Sequence, residues 1–205
     1  MCRFTKIPVL IFLSILGTYS IIGSGCKQGN NQAFPDSSTT GTIKYDSLQK
    51  ISIDSTINRI NAGVKDLGRP STLYFPMYHP NDSIKYWVVN GEPSRISLSM
   101  QDGENVTWPT FFVSNGELIL VRYRASRMDD PQPFVEERMT YLKDGKIVYC
   151  EERSMILGEG DYPGLLRRKG YTVCTRSAPE IEKDYIQYWN SVREALNAKT
   201  GNSLK

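Results

Sequence analysis

The chain has 205 residues, with 25 Lys+Arg, 22 Asp+Glu, one His and four Cys. Without Arg3 and Lys6, which precede an apolar leader, 23 basic residues face 22 acidic ones, so the remainder is close to neutral. A nucleic-acid binder needs a basic excess gathered on one face, and the longest basic run here is Arg167-Arg168-Lys169, which excludes that class as a leading reading.

Arg3 and Lys6 are followed by an apolar run from Ile7 to Ile22 and then by small residues, the order of a secretory signal peptide. The run is short of the about 20 apolar residues of a comfortable membrane span, although an uncleaved anchor helix is the alternative. The segment Gly23-Ser24-Gly25-Cys26 resembles the lipobox of bacterial lipoproteins, with Gly23 where Leu is commonest. The resemblance implies a signal peptide over residues 1–25 and lipid on Cys26, where each buried CH₂ adds about 0.8 kcal/mol of membrane affinity. An ordinary signal peptidase cut after Gly25 fits the same small residues. Residues 26–44, largely KQGNNQAFPDSSTTGT, read as a polar tether able to hold a domain about 20–25 Å from the bilayer. The layout is similar to that of Bacteroidota lipoproteins, in which an acidic cluster after the cysteine commonly directs the protein to the cell surface. Lys27 and Gln28 stand there instead, which implies an exported, periplasm-facing lipoprotein, assigned to the outer membrane.

Residues 45–205 are long enough for one domain with its own core. Asp54 is positioned to cap a helix whose Ile57, Ile60, Val64 and Leu67 share a face and which Gly68 ends. The segment LYFPMYHPNDSIKYW at 73–87 then interleaves Tyr74, Phe75, Tyr78, Tyr86 and Trp87 with two prolines. Aromatics on stiffened loops offer contact area at low entropy cost and suit binding, whereas the bland alternative is a loop folded over the core. Four turn signals follow, Asn90-Gly91, Asp102-Gly103, Asn115-Gly116 and Asp144-Gly145, each between β-branched or aromatic runs. They predict type I′ hairpins and strands at 84–89, 93–100, 106–113, 117–124, 134–142 and 146–152. Ile96, Leu98 and Met100 alternate with Arg95, Ser97 and Ser99, so one face of that strand is buried. TFFVSNGELI at 110–119 matches MTYLKDGKIV at 139–148 in character, an internal repeat of a hairpin. Trp108 beside Pro109 suggests an edge or a bulge, and an exposed edge can accept a partner's strand. A short helix is expected at 163–169, capped by Asp161. A C-terminal helix follows from the Ser177-Ala178-Pro179-Glu180 capping box, carrying Ile181, Tyr185, Tyr188, Trp189, Val192 and Leu196 at helical spacing. The order implies an α+β fold, a single antiparallel meander of about six strands packed with N- and C-terminal helices.

Of the four cysteines, Cys2 leaves with the leader and Cys26 takes the lipid, so Cys150 and Cys174 remain as a pair in an oxidising compartment. Bridging them closes a loop of about 24 residues and contributes roughly 3 kcal/mol; two buried free thiols are the alternative. No catalytic constellation emerges. His79, the lone imidazole, lies in a turn-prone Tyr-His-Pro-Asn stretch with no GxSxG. The pairs Glu136-Glu137 and Glu151-Glu152 place their members on opposite faces of a strand, and read as solvated positions next to Arg122, Arg124 and Arg138. Metal-ligand spacing and cofactor motifs are missing.

The hairpin motif, aromatic-x-x-Asn/Asp-Gly, resembles that of Bacteroidota lipoproteins built on repeated hairpins over roughly residues 84–152. With the tether and the aromatic loop, it leads to an expectation of a non-enzymatic binding or adaptor module for another envelope protein. Two alternatives stand beside it: a binder of a glycan or small ligand in the concave sheet, using Tyr and Trp, and a hydrolase inhibitor.

Overall fold

Three hairpin turns set the geometry of the sheet. Asn90 (φ 54°), Asn115 (φ 54°) and Asp144 (φ 50°) are each followed by a glycine at positive φ (84°, 73° and 71°), the pair of left-handed residues that a type I′ turn requires. At the fourth expected site only Gly103 has positive φ (60°), so that turn is not of the I′ type. In each I′ hairpin an aromatic residue stands three positions before the Asn or Asp: Trp87, Phe112 and Tyr141. The strand register shifts immediately after each of them. The repeat seen in two hairpins therefore extends to a third, and its shared feature is a bulge that re-aims the strand just before the turn.

The computed structural model describes residues 45–75, 82–201 and 204, which belong to one unit of the chain. Helix α1 (Ser47–Leu67) precedes the strands β1 (Ser71–Tyr74), β2 (Ser83–Val89), β3 (Glu92–Asp102), β4 (Asn105–Thr107), β5 (Thr110–Ser114), β6 (Glu117–Arg127), β7 (Phe134–Lys143) and β8 (Lys146–Ile156). A 3₁₀ helix (Pro163–Arg168), strand β9 (Thr172–Val173) and helices α2 (Ala178–Lys183) and α3 (Ile186–Thr200) complete it. The fold is α+β, with a nine-stranded antiparallel sheet in the order β1-β2-β3-β4-β6-β7-β8-β9 and β5 between β3 and β6.

Nine strands replace the expected six for two reasons. Short β1 and β9 form the edges, and the expected strand 106–113 divides at Trp108-Pro109 into β4 and β5. Proline offers no N–H to the ladder, so pairing stops there. Both halves nonetheless lie between β3 and β6, so Trp108 stands at a break inside the sheet and not on an edge.

Helices cover both faces of the sheet. On one, Ile181, Tyr185, Trp189, Val192 and Leu196 of the C-terminal helices are buried against Ile84, Ile96, Leu98, Phe111 and Val121. Burying large apolar side chains this way contributes about 1.5–3 kcal/mol each. Ser177 and Glu180 form the expected capping box, but the helix breaks at Asp184, whose carboxylate meets Arg138 of β7 and Arg176. On the other face Ile53, Ile57, Ile60 and Val64 of α1 pack on Phe112, Leu120 and Tyr141, and Trp87 packs against the same cluster. The approach is close: a Cβ on Gly63 would lie 3.0 Å from Val89 Cγ1. Helix α1 begins earlier than the expected cap at Asp54. Asp46 is the cap, accepting from the amides of Leu48 and Gln49 at 3.0 Å each, while Asp54 pairs with Lys50 at 2.9 Å. Likewise Asp161 accepts from the Gly158 amide instead of capping the 3₁₀ helix.

Cys150 of β8 and Cys174 after β9 are joined in a disulfide with Cα atoms 5.4 Å apart, both residues buried. The bridge closes the segment carrying the 3₁₀ helix and β9. The double variant Cys150→Ala/Cys174→Ala is expected to unfold with about 3 kcal/mol less stability in urea titrations, whereas an unchanged midpoint would contradict this role.

Candidate functional site

Residues in register across antiparallel strands share a face, so the α1 side of the sheet can be read in rows. The row Trp87, Arg95, Phe112, Leu120, Tyr141 and Tyr149 contributes the aromatic bed of α1. At the far end Val135 and Met155 pack with Leu166 of the 3₁₀ helix. Two polar rows lie between. One holds Lys85, Ser97, Thr110 and Arg122; the other holds Arg124, Glu137 and Arg153. Together with the 3₁₀ helix they line a cleft of about 760 Å³.

Glu137 organises the floor of this cleft. Its side chain is only 1% exposed, and it receives Arg122, Arg124 and Arg153. Arg124 Nε donates to Oε1 at 2.5 Å, Arg153 Nε to Oε2 at 2.8 Å, and the Tyr171 hydroxyl to Oε2 at 2.8 Å. Burial alone would push the Glu137 pKa up, but the hydrogen bonds from Tyr171, Arg153 and Arg122 outweigh it and hold the carboxyl at about 2. Conversely, burial and then the bond to Glu137 push the Tyr171 hydroxyl up to about 12. Such a carboxylate remains ionised at neutral pH with both oxygens engaged. It orders arginines and is not placed to move protons.

Arg153 also ties the floor to its rim. It donates to the Lys169 carbonyl at 3.0 Å and lies over the Tyr171 ring, 4.3 Å from its centre. Arg122 and Arg124 commit Nε to Glu137, and their terminal nitrogens make no hydrogen bond among the described residues. Arg95 is less satisfied still. Stacked 4.9 Å from the Trp87 ring centre and 5.9 Å from that of Phe112, it has a buried Nε without a partner and no ion pair among the described residues. Burial, followed by repulsion from Arg122, lowers its pKa. The lining carries six cationic side chains, Lys85, Arg95, Arg122, Arg124, Arg153 and Arg167, against three carboxyl groups, Asp82, Glu136 and Glu137.

The aromatic residues singled out from sequence do not form one surface. Tyr86 and Trp87 are neighbours on β2 and point to opposite faces. Tyr86 is 8% exposed in the α3-side core, while Trp87 is half-buried beneath Arg95. Tyr86 is therefore a packing residue. Phe75 packs against the same core, and Tyr74 is exposed at the end of β1. Trp108 is 37% exposed and lines the cleft. Cys26, Tyr78 and His79 lie outside the described residues. The acidic pairs split between faces as alternation requires, but Glu137 is buried and not solvated; on the other face Glu136 and Glu152 flank Arg138, itself 4% exposed. Sequence reading missed the cleft because Arg95, Ser97 and Ser99, or Arg122 and Arg124, look like any solvent-facing half of a strand. Its available signal was the single Arg122-Tyr123-Arg124 stretch set against Glu136-Glu137 on the next strand in the chain.

No protein family, curated protein or solved structure compared with the chain matches it. Among the described residues no helix is long and apolar enough to cross a membrane, and no group of three or more His, Cys, Asp and Glu could hold a metal ion.

Because the folded-state pKa of Glu137 lies below its ordinary value of 4.5, its contribution is complete above about pH 4.5 and is lost as pH falls toward 2. The difference amounts to about 3 kcal/mol. Urea unfolding from pH 6 to pH 3 should show wild type approaching Glu137→Gln in stability as the pH falls; a gap independent of pH would contradict the assignment.

Proposed function

We propose that this chain is an exported, lipid-anchored, non-enzymatic binding module whose ligand is an anion received in the cleft of the sheet. Of the readings open from sequence, this develops the small-ligand alternative. The observation that carries it is Arg95, a guanidinium held on an aromatic bed beside Arg122 with no counter-charge among the described residues. Holding an unpaired guanidinium beside a second cation is costly, and an incoming carboxylate, sulfate or phosphate group offsets that cost with charge-assisted hydrogen bonds. Arginine suits the task because its planar donors match such groups in pairs. The adaptor reading rested on the tether, the lack of a catalytic constellation and the aromatic loop at 73–87, and that loop loses Tyr86 to the core and one face of Trp87 to Arg95. Catalysis by paired carboxylates has little support, since Glu137 is locked among three arginines.

Titration calorimetry with citrate and inorganic triphosphate should detect saturable binding that weakens as salt rises. Arg95→Met, which keeps an apolar stem on Trp87, should reduce the affinity about tenfold or more. Absence of saturable anion binding by the folded wild-type protein would contradict the proposal.

A further inference from the structure

We infer that the ligand of the cleft is an acidic sugar, a pyranose unit bearing a carboxylate or sulfate group, stacked on Trp108 and paired with the neighbouring cations. The inference rests on the anion-binding reading above and adds to it the neutral part of the lining. Three features of that lining point away from a simple ion. The volume, about 760 Å³, falls among pockets that enclose whole organic ligands, about 300–1,000 Å³, and is far more than one inorganic anion needs. Small hydroxyl and amide side chains, Ser83, Ser97, Ser99, Thr110 and Gln101, share the lining with the cations. Ser97 and Thr110 bond to each other at 3.1 Å, and Gln101 donates to the Gly103 carbonyl at 3.1 Å, while Ser83 and Ser99 make no side-chain hydrogen bond among the described residues. Hydroxyls can both donate and accept, which matches the mixed donor and acceptor character of sugar hydroxyls, whereas an anion uses only their donor side.

The third feature is Trp108. Its backbone N–H donates to the Arg124 carbonyl at 2.8 Å, so the residue is anchored to β6 although Pro109 interrupts the ladder beside it. The indole is 37% exposed within a lining otherwise dominated by polar groups. An indole face held beside hydroxyls and guanidinium groups is complementary to a sugar ring, whose C–H face is apolar while its edge carries hydroxyls and an acidic substituent. Arg124 belongs to the same lining and has unengaged terminal nitrogens for that substituent. A polyphosphate or a small tricarboxylate can accept from the serines but leaves the indole face without an apolar partner, and an acidic peptide lacks the C–H face edged with hydroxyls that a pyranose presents.

The test is calorimetry on the lipid-free mature protein with four probes: a galacturonate oligomer, a sulfated chondroitin oligomer, a neutral galactose oligomer of similar length, and citrate. At least one acidic oligomer should bind about tenfold or more tightly than the neutral one, and whichever does identifies the charged group as carboxylate or sulfate. Trp108→Ala should weaken that oligomer about tenfold while changing citrate binding less than about twofold. Lys85→Ala, at an exposed position, should weaken both, and it keeps the test decisive if the Trp108 variant fails to fold. Equal binding of neutral and acidic oligomers, or citrate binding with no oligomer bound, would overturn the sugar assignment. The second outcome leaves the anion reading in place, whereas failure of all four probes overturns both.

Discussion

The ion cluster on Glu137 is the constraint around which this side of the molecule is arranged. An isolated carboxylate at 1% exposure would face a desolvation cost of several kcal/mol, and three guanidinium groups together would repel one another. Each arrangement is tolerable only because of the other. One negative charge among three positive ones leaves a local surplus, and Arg95 and Lys85 in the neighbouring rows enlarge it. The same carboxylate accepts from Tyr171, so it also fixes the segment that carries the 3₁₀ helix to the rim of the cleft. Three residues beyond Tyr171, the Cys150–Cys174 disulfide fastens the same segment to β8. Cleft floor and cleft rim are thus parts of one network.

The cleft exists because α1 covers only part of its face. The repeated bulge places Trp87, Phe112 and Tyr141 where the helix can bury them, near the three turns. Farther along the strands the polar rows follow, and beyond them the 3₁₀ helix closes over Val135 and Met155. The opposite face carries a smaller hollow, about 430 Å³, beside Tyr123, Arg176 and Asp184. There Arg138 is enclosed by Glu136, Glu152 and Asp184, and its ion pairs fasten the break between α2 and α3 to the sheet. Two arginine clusters on one strand pair therefore serve different ends. Arg138 is matched by carboxylates, whereas Arg122 and Arg124 share a single one with Arg153.

Much of the fold was legible in the sequence because local chemistry coincides with tertiary demand there. Asn90-Gly91, Asn115-Gly116 and Asp144-Gly145 need positive φ wherever they occur in tight hairpins, and the stripe from Ile181 to Leu196 has one face to bury. What escaped was decided by distant partners. The division at Pro109 is visible as a proline, but its position inside the sheet depends on pairing with β3 and β6. Helix α1 extends past Asp54 because Asp46 caps it, with Leu48 and Ile51 left exposed where periodicity offers no guide. The candidate site was least legible of all. Glu137 and its arginines alternate like solvent-facing residues, and nothing local distinguishes a solvated charge from one that β6, β8 and Tyr171 enclose. The aromatic run at 73–87 was conspicuous yet divided by strand alternation, so composition alone overstated it as a surface.

If Glu137 assembles a cationic cleft with unmet capacity for an anion, an anion offered to the folded protein should settle there. Crystals of the protein grown with selenate, measured at the selenium edge, test it most directly. An anomalous peak is expected within hydrogen-bond reach of Arg95, Arg122 or Arg124 while Glu137 keeps its contacts to all three of its arginines. A cleft with no peak, or arginine ends occupied by carboxylates of the protein itself, would contradict it.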